Sequence, residues 1–121
     1  MRLPKFLLLA VPALLAGAAS AHHSFSMFDR STNLVLNGTV KDFQWTNPHS
    51  WIEVLVKDPS GKTIEWGCAM GSPGNLLRTG WKPHSLVPGD AVTVTINPMK
   101  DGERAGSVVS VYRADGTRVG H

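Results

Sequence analysis

The stretch that decides the fold is Trp51-Ile52-Glu53-Val54-Leu55-Val56-Lys57. Successive side chains of an extended strand point to opposite faces, so Ile52, Val54 and Val56 share one face. We expect that face to be part of a hydrophobic core. The spacing therefore predicts a β-strand that is buried on one side only.

A turn and a second strand follow this segment. Residues 58–62 contain proline and glycine where a type I or type II turn uses them, and they lead into residues 63–70. The two apolar runs therefore predict a β-hairpin. In its second strand one face carries Ile64, Trp66, Cys68 and Met70.

The remaining segments extend this pattern on both sides. Residues 34–45 predict a long first strand, in which Gly38 marks a bend or bulge. Asn75 would cap a short helix that Gly80 ends. Residues 91–96 and 106–112 predict the last two strands. An all-β chain of five strands with one short helix between the third and fourth is typical of the OB-fold, a small Greek-key barrel, with a β-sandwich as the alternative.

The N-terminus has the layout of a secretory signal peptide. Arg2 and Lys5 precede an apolar run over residues 6–15, and small residues follow up to Ala19-Ser20-Ala21. The run is about half of the ~20 residues that a membrane-spanning helix needs, so we expect no retained membrane anchor. Cleavage after Ala21 would release a periplasmic protein.

Cleavage after Ala21 would define the organisation of the mature chain. Removing 21 of 121 residues would leave 100, with residues 22–33 as an N-terminal arm and residues 34–121 as a single domain. The signal carries two of the 12 Lys and Arg, so the mature chain would hold ten against nine Asp and Glu. This near balance, without a basic cluster, argues against a nucleic-acid partner.

The clearest metal candidates are His22 and His23, which would begin the mature chain. A terminal amine and two imidazoles form a nitrogen-rich donor set that suits Cu(II). Cleavage after Ser20 would instead place a histidine third, which also gives an amino-terminal copper chelate. The alternative is that both histidines are simply mobile polar residues after the cleavage site.

His49 lies in the segment between the first two strands, a loop that borders the ligand-binding face of OB-folds. It would be a third nitrogen donor for copper. Trp45 and Trp51 flank it and, with Trp66 of the third strand, would form an aromatic platform for a ligand or shelter a metal. The alternative is a turn at Asn47-Pro48, with His49 bonded to a backbone group and the tryptophans packed on the barrel.

Two soft donors come from the third strand. Cys68 and Met70 point to the same side as Trp66, and thiolate and thioether groups favour Cu(I). That side is also the predicted core, and burial is the favoured interpretation for both residues. As Cys68 is the only cysteine, no intramolecular disulfide can form. A ligand or redox role for the thiol is the alternative.

Sequence motifs of enzymes are missing from the chain. It has no Gly-x-Ser-x-Gly elbow, no His-Glu-x-x-His motif, no phosphate-binding glycine loop and no carboxylate pair placed for acid and base roles.

We therefore predict a non-enzymatic protein that binds a metal ion, copper above all, or a small ligand. The main alternative is a metal-free interaction module with a patch of Trp45, Trp51 and Trp81 for a peptide, a small molecule or a periplasmic protein partner. A third possibility is an accessory subunit of a periplasmic oxidoreductase.

Several segments carry a resemblance to a known family: residues 21–25 (Ala-His-His-Ser-Phe), 38–40, 43–51 with Asn-Pro-His between tryptophans, 71–73 and 80–81. The chain resembles the small exported bacterial proteins of domain-of-unknown-function family 6152 over essentially the whole mature length. This resemblance implies export from the cytoplasm, and the family has no established activity to carry over. A looser similarity in residue types, through His49, Met70, Met99 and Trp45 or Trp66, is to periplasmic copper chaperones. The spacing differs, so it implies no ligand assignment.

Overall fold

The computed structural model describes residues 26–121. Five strands close into a barrel in the order β1-β2-β3-β5-β4. Only the pairing of β3 with β5 is parallel. This confirms the predicted all-β, five-stranded, OB-fold-like barrel with one short helix between the third and fourth strands. The bounds are β1 Leu34–Gln44, β2 Trp51–Lys57, β3 Thr63–Ala69, α1 Pro73–Arg78, β4 Ala91–Pro98 and β5 Ala105–Arg113.

The barrel interior is apolar, as the alternation in β2 predicts. Ile52 and Val54 are fully buried, and their partners on β3 are Cys68 and Trp66. Every strand contributes to this interior, and α1 with the connection after it adds further apolar groups. The strand residues of the core are Leu36, Val40, Ile52, Val54, Cys68, Val92, Val94, Ile96 and Val111, and the others include Met70, Leu76, Trp81, Leu86 and Val119.

Gly38 has a different role from the predicted bulge. The register of β1 against β2 shifts between Val40 and Asp42, which places the irregularity at Lys41. A Cβ on Gly38 would overlap the carbonyl oxygen of Leu55 in β2. The glycine is therefore required for close backbone approach at the point where β1 passes from pairing with β4 to pairing with β2.

The helix begins earlier than predicted. Ser72 is its N-cap, and the Ser72 hydroxyl accepts a hydrogen bond from the Asn75 backbone N–H at 3.3 Å. The prediction of Asn75 as the cap is wrong, because the Ser72-Pro73 pair already supplies a capping hydroxyl and a proline suited to the first helical position. Gly80 follows the last turn with φ of 83°, as expected for a helix C-terminus.

Residues 26–33 are fixed against the end of β4. The Asp29 N–H donates to the Pro98 carbonyl at 2.8 Å, and the Lys100 N–H donates to the Met27 carbonyl at 2.9 Å. Phe28 forms an isolated bridge with Met99 and is buried. The described part of the predicted arm is thus attached to the barrel.

Residues 1–25 lie outside the described part of the chain, and with them the predicted signal peptide, His22 and His23. Within residues 26–121, no helix has the length and apolar character needed to cross a membrane.

Candidate functional site

The loop between β1 and β2 is closed by Ser50, which has no solvent exposure. The Ser50 hydroxyl accepts a hydrogen bond from the Thr46 N–H at 3.3 Å, and the Thr46 hydroxyl donates to the His49 carbonyl at 2.7 Å. The backbone of Ser50 also bonds to Met70 and Gly71. These bonds extend the β2–β3 pairing beyond Trp51 and hold the loop on the barrel.

His49 is oriented toward the end of β3. Its Nδ1 lies 3.3 Å from the carbonyl oxygen of Met70, a geometry in which a protonated Nδ1 donates. The alternative in which His49 bonds to a backbone group is therefore the arrangement observed. The Asn47-Pro48 peptide in the same loop is cis.

Cys68 and Met70 belong to the hydrophobic core, as the favoured interpretation predicts. Burial raises the pKa of the Cys68 thiol to about 12. Because the thiolate is the metal-binding form, a copper ion at this position would require a charged sulfur in an apolar interior. Within the part of the chain that the structure describes, no group of three or more His, Cys, Asp or Glu side chains is arranged to hold a metal.

Trp45 lies on the core side of the loop. It contacts Phe43 edge to face, with ring centroids 6.0 Å apart, and Phe43 lies 5.8 Å from Trp81. Phe43 is the β1 partner of the fully buried Ile52, so this series of rings leads from the loop into the barrel.

Trp51 lies on the opposite, outer face. Its partners are Gln44 on β1 and Ala69 on β3. Trp66 packs against the core, and Trp81 is only 6% exposed. The predicted surface patch of Trp45, Trp51 and Trp81 is therefore wrong for Trp81, and the structure does not bring Trp45, Trp51 and Trp66 together on one face.

Polar side chains surround Trp51 on this outer face. Asp42 and Glu53 are opposite one another in the β1–β2 register. The Gln44 amide donates to Asp42 Oδ2 at 3.2 Å and to Glu53 Oε1 at 3.3 Å. The amide of the residue opposite Trp51 thus binds two carboxylates on the same face of the barrel.

A third carboxylate on this outer face is that of Glu65, which lies two residues before Gly67, the β3 partner of Glu53. Lys41 Nζ donates to Glu65 Oε2 at 2.8 Å. This hydrogen bond lowers the pKa of Glu65 and raises the pKa of Lys41. The outer surface formed by Asp42, Gln44, Trp51, Glu53, Glu65 and Gly67, here named the Trp51 face, therefore carries three carboxylates against one nearby ammonium.

On β3, Gly67 places no side chain on the Trp51 face, whereas Ala69 is buried. Gly67 is the partner of Glu53, and Ala69 is the partner of Trp51. A Cβ added at Gly67 would meet no atom within 4 Å. The polar members of this face are not evident from the sequence, because only the strand register shows which residues of β1, β2 and β3 are neighbours.

The fold and this surface define a small OB-fold-like β-barrel with one tryptophan turned outward. A family model described as "Family of unknown function (DUF6152)" matches residues 11–109, and the chain therefore belongs to that family. This confirms the family resemblance seen in the sequence. No curated protein and no solved structure matches the chain significantly.

Proposed function

We propose that this protein is a non-enzymatic periplasmic binding domain, exported by a cleaved signal peptide, that contacts a protein partner through the Trp51 face. The observation that supports this most is the placement of Trp51 on the outer face, while Trp45, Trp66 and Trp81 pack against or within the core. In OB-folds, ligands bind on the strand 2 and strand 3 face beside the loop between strands 1 and 2. A ligand in the same place on this protein is an analogy at the level of the fold.

The chemistry of the Trp51 face favours a basic group in the ligand. An indole ring attracts a cation over its face, by roughly 0.5–1 kcal/mol at an exposed site. Asp42 and Glu53, held together by Gln44, are acceptors for a guanidinium or an ammonium group. A lysine or arginine side chain from a partner would therefore lie over Trp51 and contact these carboxylates.

Calorimetric titration of the processed protein with a tetra-arginine peptide tests this proposal. We expect Trp51→Ala to weaken binding about tenfold, which corresponds to about 1.4 kcal/mol. Glu53→Gln should weaken it through the loss of one charge. Tyr112→Ala, which removes an exposed aromatic ring from β5, is the matched control and should leave the affinity unchanged. Equal affinity for tetra-arginine and tetraglutamate would contradict the proposal.

A second candidate function is copper binding at the mature N-terminus. His22 and His23 next to the expected cleavage site supply the donors, and His49 would be an additional one. The described chain begins at Ser26, and the Met27 carbonyl is bonded to Lys100, so both histidines lie within five residues of a fixed point. The burial of Cys68 and Met70 favours this nitrogen-only donor set over one that includes sulfur.

Cu(II) titration of correctly processed protein, with electron paramagnetic resonance to identify the donors, tests the copper proposal. We expect one equivalent to bind with nitrogen couplings that disappear when the terminal amine is acetylated. His49→Ala distinguishes a site that includes the loop from one confined to the terminus. Binding no tighter than that of a free His-His peptide would contradict the proposal.

A further inference from the structure

The bulge in β1 places two successive side chains on the outer surface of the barrel. Val40 is buried and is the partner of Val54. Asp42 is the partner of Glu53 on the Trp51 face. Lys41 is the extra residue between these two pairs, and half of its side chain is exposed. Because the bulge interrupts the alternation of the strand, an ammonium group follows β1 onto the same surface as the Asp42 carboxylate.

The Lys41 side chain reaches across β2. Its Nζ donates to Glu65 Oε2 at 2.8 Å, and β2 lies between β1 and β3 in the barrel. The hydrogen bond to Glu65 is the main cause of the raised pKa of Lys41, and the charges of Glu53 and Asp42 add to it. The ammonium group therefore lies near all three carboxylates of the Trp51 face and is bonded to one of them.

The other two carboxylates remain open to a ligand. The Gln44 amide occupies one oxygen of each, Asp42 Oδ2 and Glu53 Oε1, so each has a second oxygen that can accept a hydrogen bond. Both occupied oxygens lie within 3.3 Å of the same amide nitrogen, so the two carboxylates are close neighbours. A guanidinium has five N–H donors in a planar fork and can contact both.

We propose that Lys41 limits the Trp51 face to one basic side chain of its ligand, so that a second, neighbouring basic residue adds no affinity. The first basic group donates to Asp42 and Glu53. A second one finds Glu65 already neutralised by an ammonium group of the protein itself, which competes with it for the same oxygens. This inference rests on the binding function proposed above and defines the class of segment that the face accepts.

Nuclear magnetic resonance titration of the ¹⁵N-labelled, processed protein with two peptides tests this proposal. Both peptides are acetylated and amidated. Gly-Gly-Arg-Gly-Gly has one arginine, and Gly-Arg-Gly-Arg-Gly has two, at positions that share a face in an extended chain. The Trp51 indole signal, assigned by its loss in Trp51→Phe, reports binding. We expect the wild-type protein to bind the second peptide about twofold more tightly, which is the statistical gain from two equivalent arginines.

Three variants separate the role of Lys41 from that of net charge. Lys41→Met frees Glu65 as a second acceptor, and we expect the two-arginine peptide then to bind about fivefold more tightly than the one-arginine peptide. Lys41→Arg retains the charge and should keep the wild-type ratio. Lys82→Met, which removes an exposed lysine from the connection after α1, is the matched control and should also keep the wild-type ratio.

The failure of this inference differs from the failure of the proposed function. If neither peptide moves the Trp51 indole signal in any of these proteins, the binding function of the Trp51 face is wrong, and the role of Lys41 with it. If the one-arginine peptide binds but Lys41→Met keeps the wild-type ratio, only the role of Lys41 is overturned. A ratio of about five already in the wild-type protein, or an equal increase in Lys82→Met, would also overturn it.

Discussion

Gln44 and Trp51 are directly opposite one another across β1 and β2 on the outer face of the barrel. The neighbouring pair, Phe43 and Ile52, faces the core. Because side chains alternate along a strand, a single step in register separates the interior from the surface. Trp45 and Trp51 are therefore placed differently: Trp45 packs inward with Phe43, and Trp51 lies on the outer face.

Replacing a strand glycine by alanine should have opposite effects on stability at Gly38 and at Gly67. Gly38→Ala should destabilise the protein by at least about 1–3 kcal/mol, because the new methyl group would overlap the Leu55 carbonyl, which the sheet holds in place. Gly67→Ala should be neutral or stabilising by about 0.5–1 kcal/mol, since its Cβ enters open space and the unfolded chain loses freedom. Urea denaturation of the two variants measures this difference, and equal midpoints would refute the account of Gly38.

The Cys68 thiol should be unreactive in the folded protein. Its side chain has no solvent exposure, and burial raises the pKa of the thiol to about 12, so very little thiolate forms at pH 8. We expect labelling by a disulfide reagent at pH 8 to be at least about 100-fold slower in the native state than in 6 M guanidinium. Cys68→Ser should destabilise the fold by about 1–3 kcal/mol by burying a hydroxyl without a dedicated partner. Rapid, stoichiometric labelling of the native protein would show that the sulfur is accessible.

Acid should destabilise the protein through three turn aspartates. Asp29, Asp58 and Asp115 each accept a hydrogen bond at 2.6 Å from the hydroxyl of a Ser or Thr two residues later, and these bonds lower their pKa values. The unfolded value is about 3.9, so this stabilisation is complete above about pH 5 and is lost as the pH falls through the lower folded pKa values.

Urea midpoints measured between pH 6 and pH 2.5 test this expectation. The urea concentration at the midpoint should decrease once the pH is lowered below about 4. This decrease should be smaller in a variant with all three aspartates changed to asparagine. An identical decline in that variant would assign the acid sensitivity to other carboxylates.

The sequence predicts much of the fold and little of the candidate site, because strands and turns follow from local patterns whereas the site depends on which distant strands are paired. Alternation in residues 51–57 and the turn at residues 58–62 are local signals, and both predicted elements are present. The bulge at Lys41 and the inward position of Trp45 depend on pairing between distant segments, which local pattern does not determine. Ser72 and Asn75 are both good caps by type, and proline at position 73 decides between them.

The most direct test of the account is to map tetra-arginine binding by NMR on the ¹⁵N-labelled, processed protein. We predict that the Trp51 indole signal and the backbone amides of Glu53 and Gly67 move together in a saturable titration, and that in Trp51→Ala the two amides saturate at about tenfold higher peptide concentration while the barrel stays folded. Shifts confined to other surfaces, or an unchanged titration in Trp51→Ala, would contradict the assignment of the Trp51 face as the binding surface.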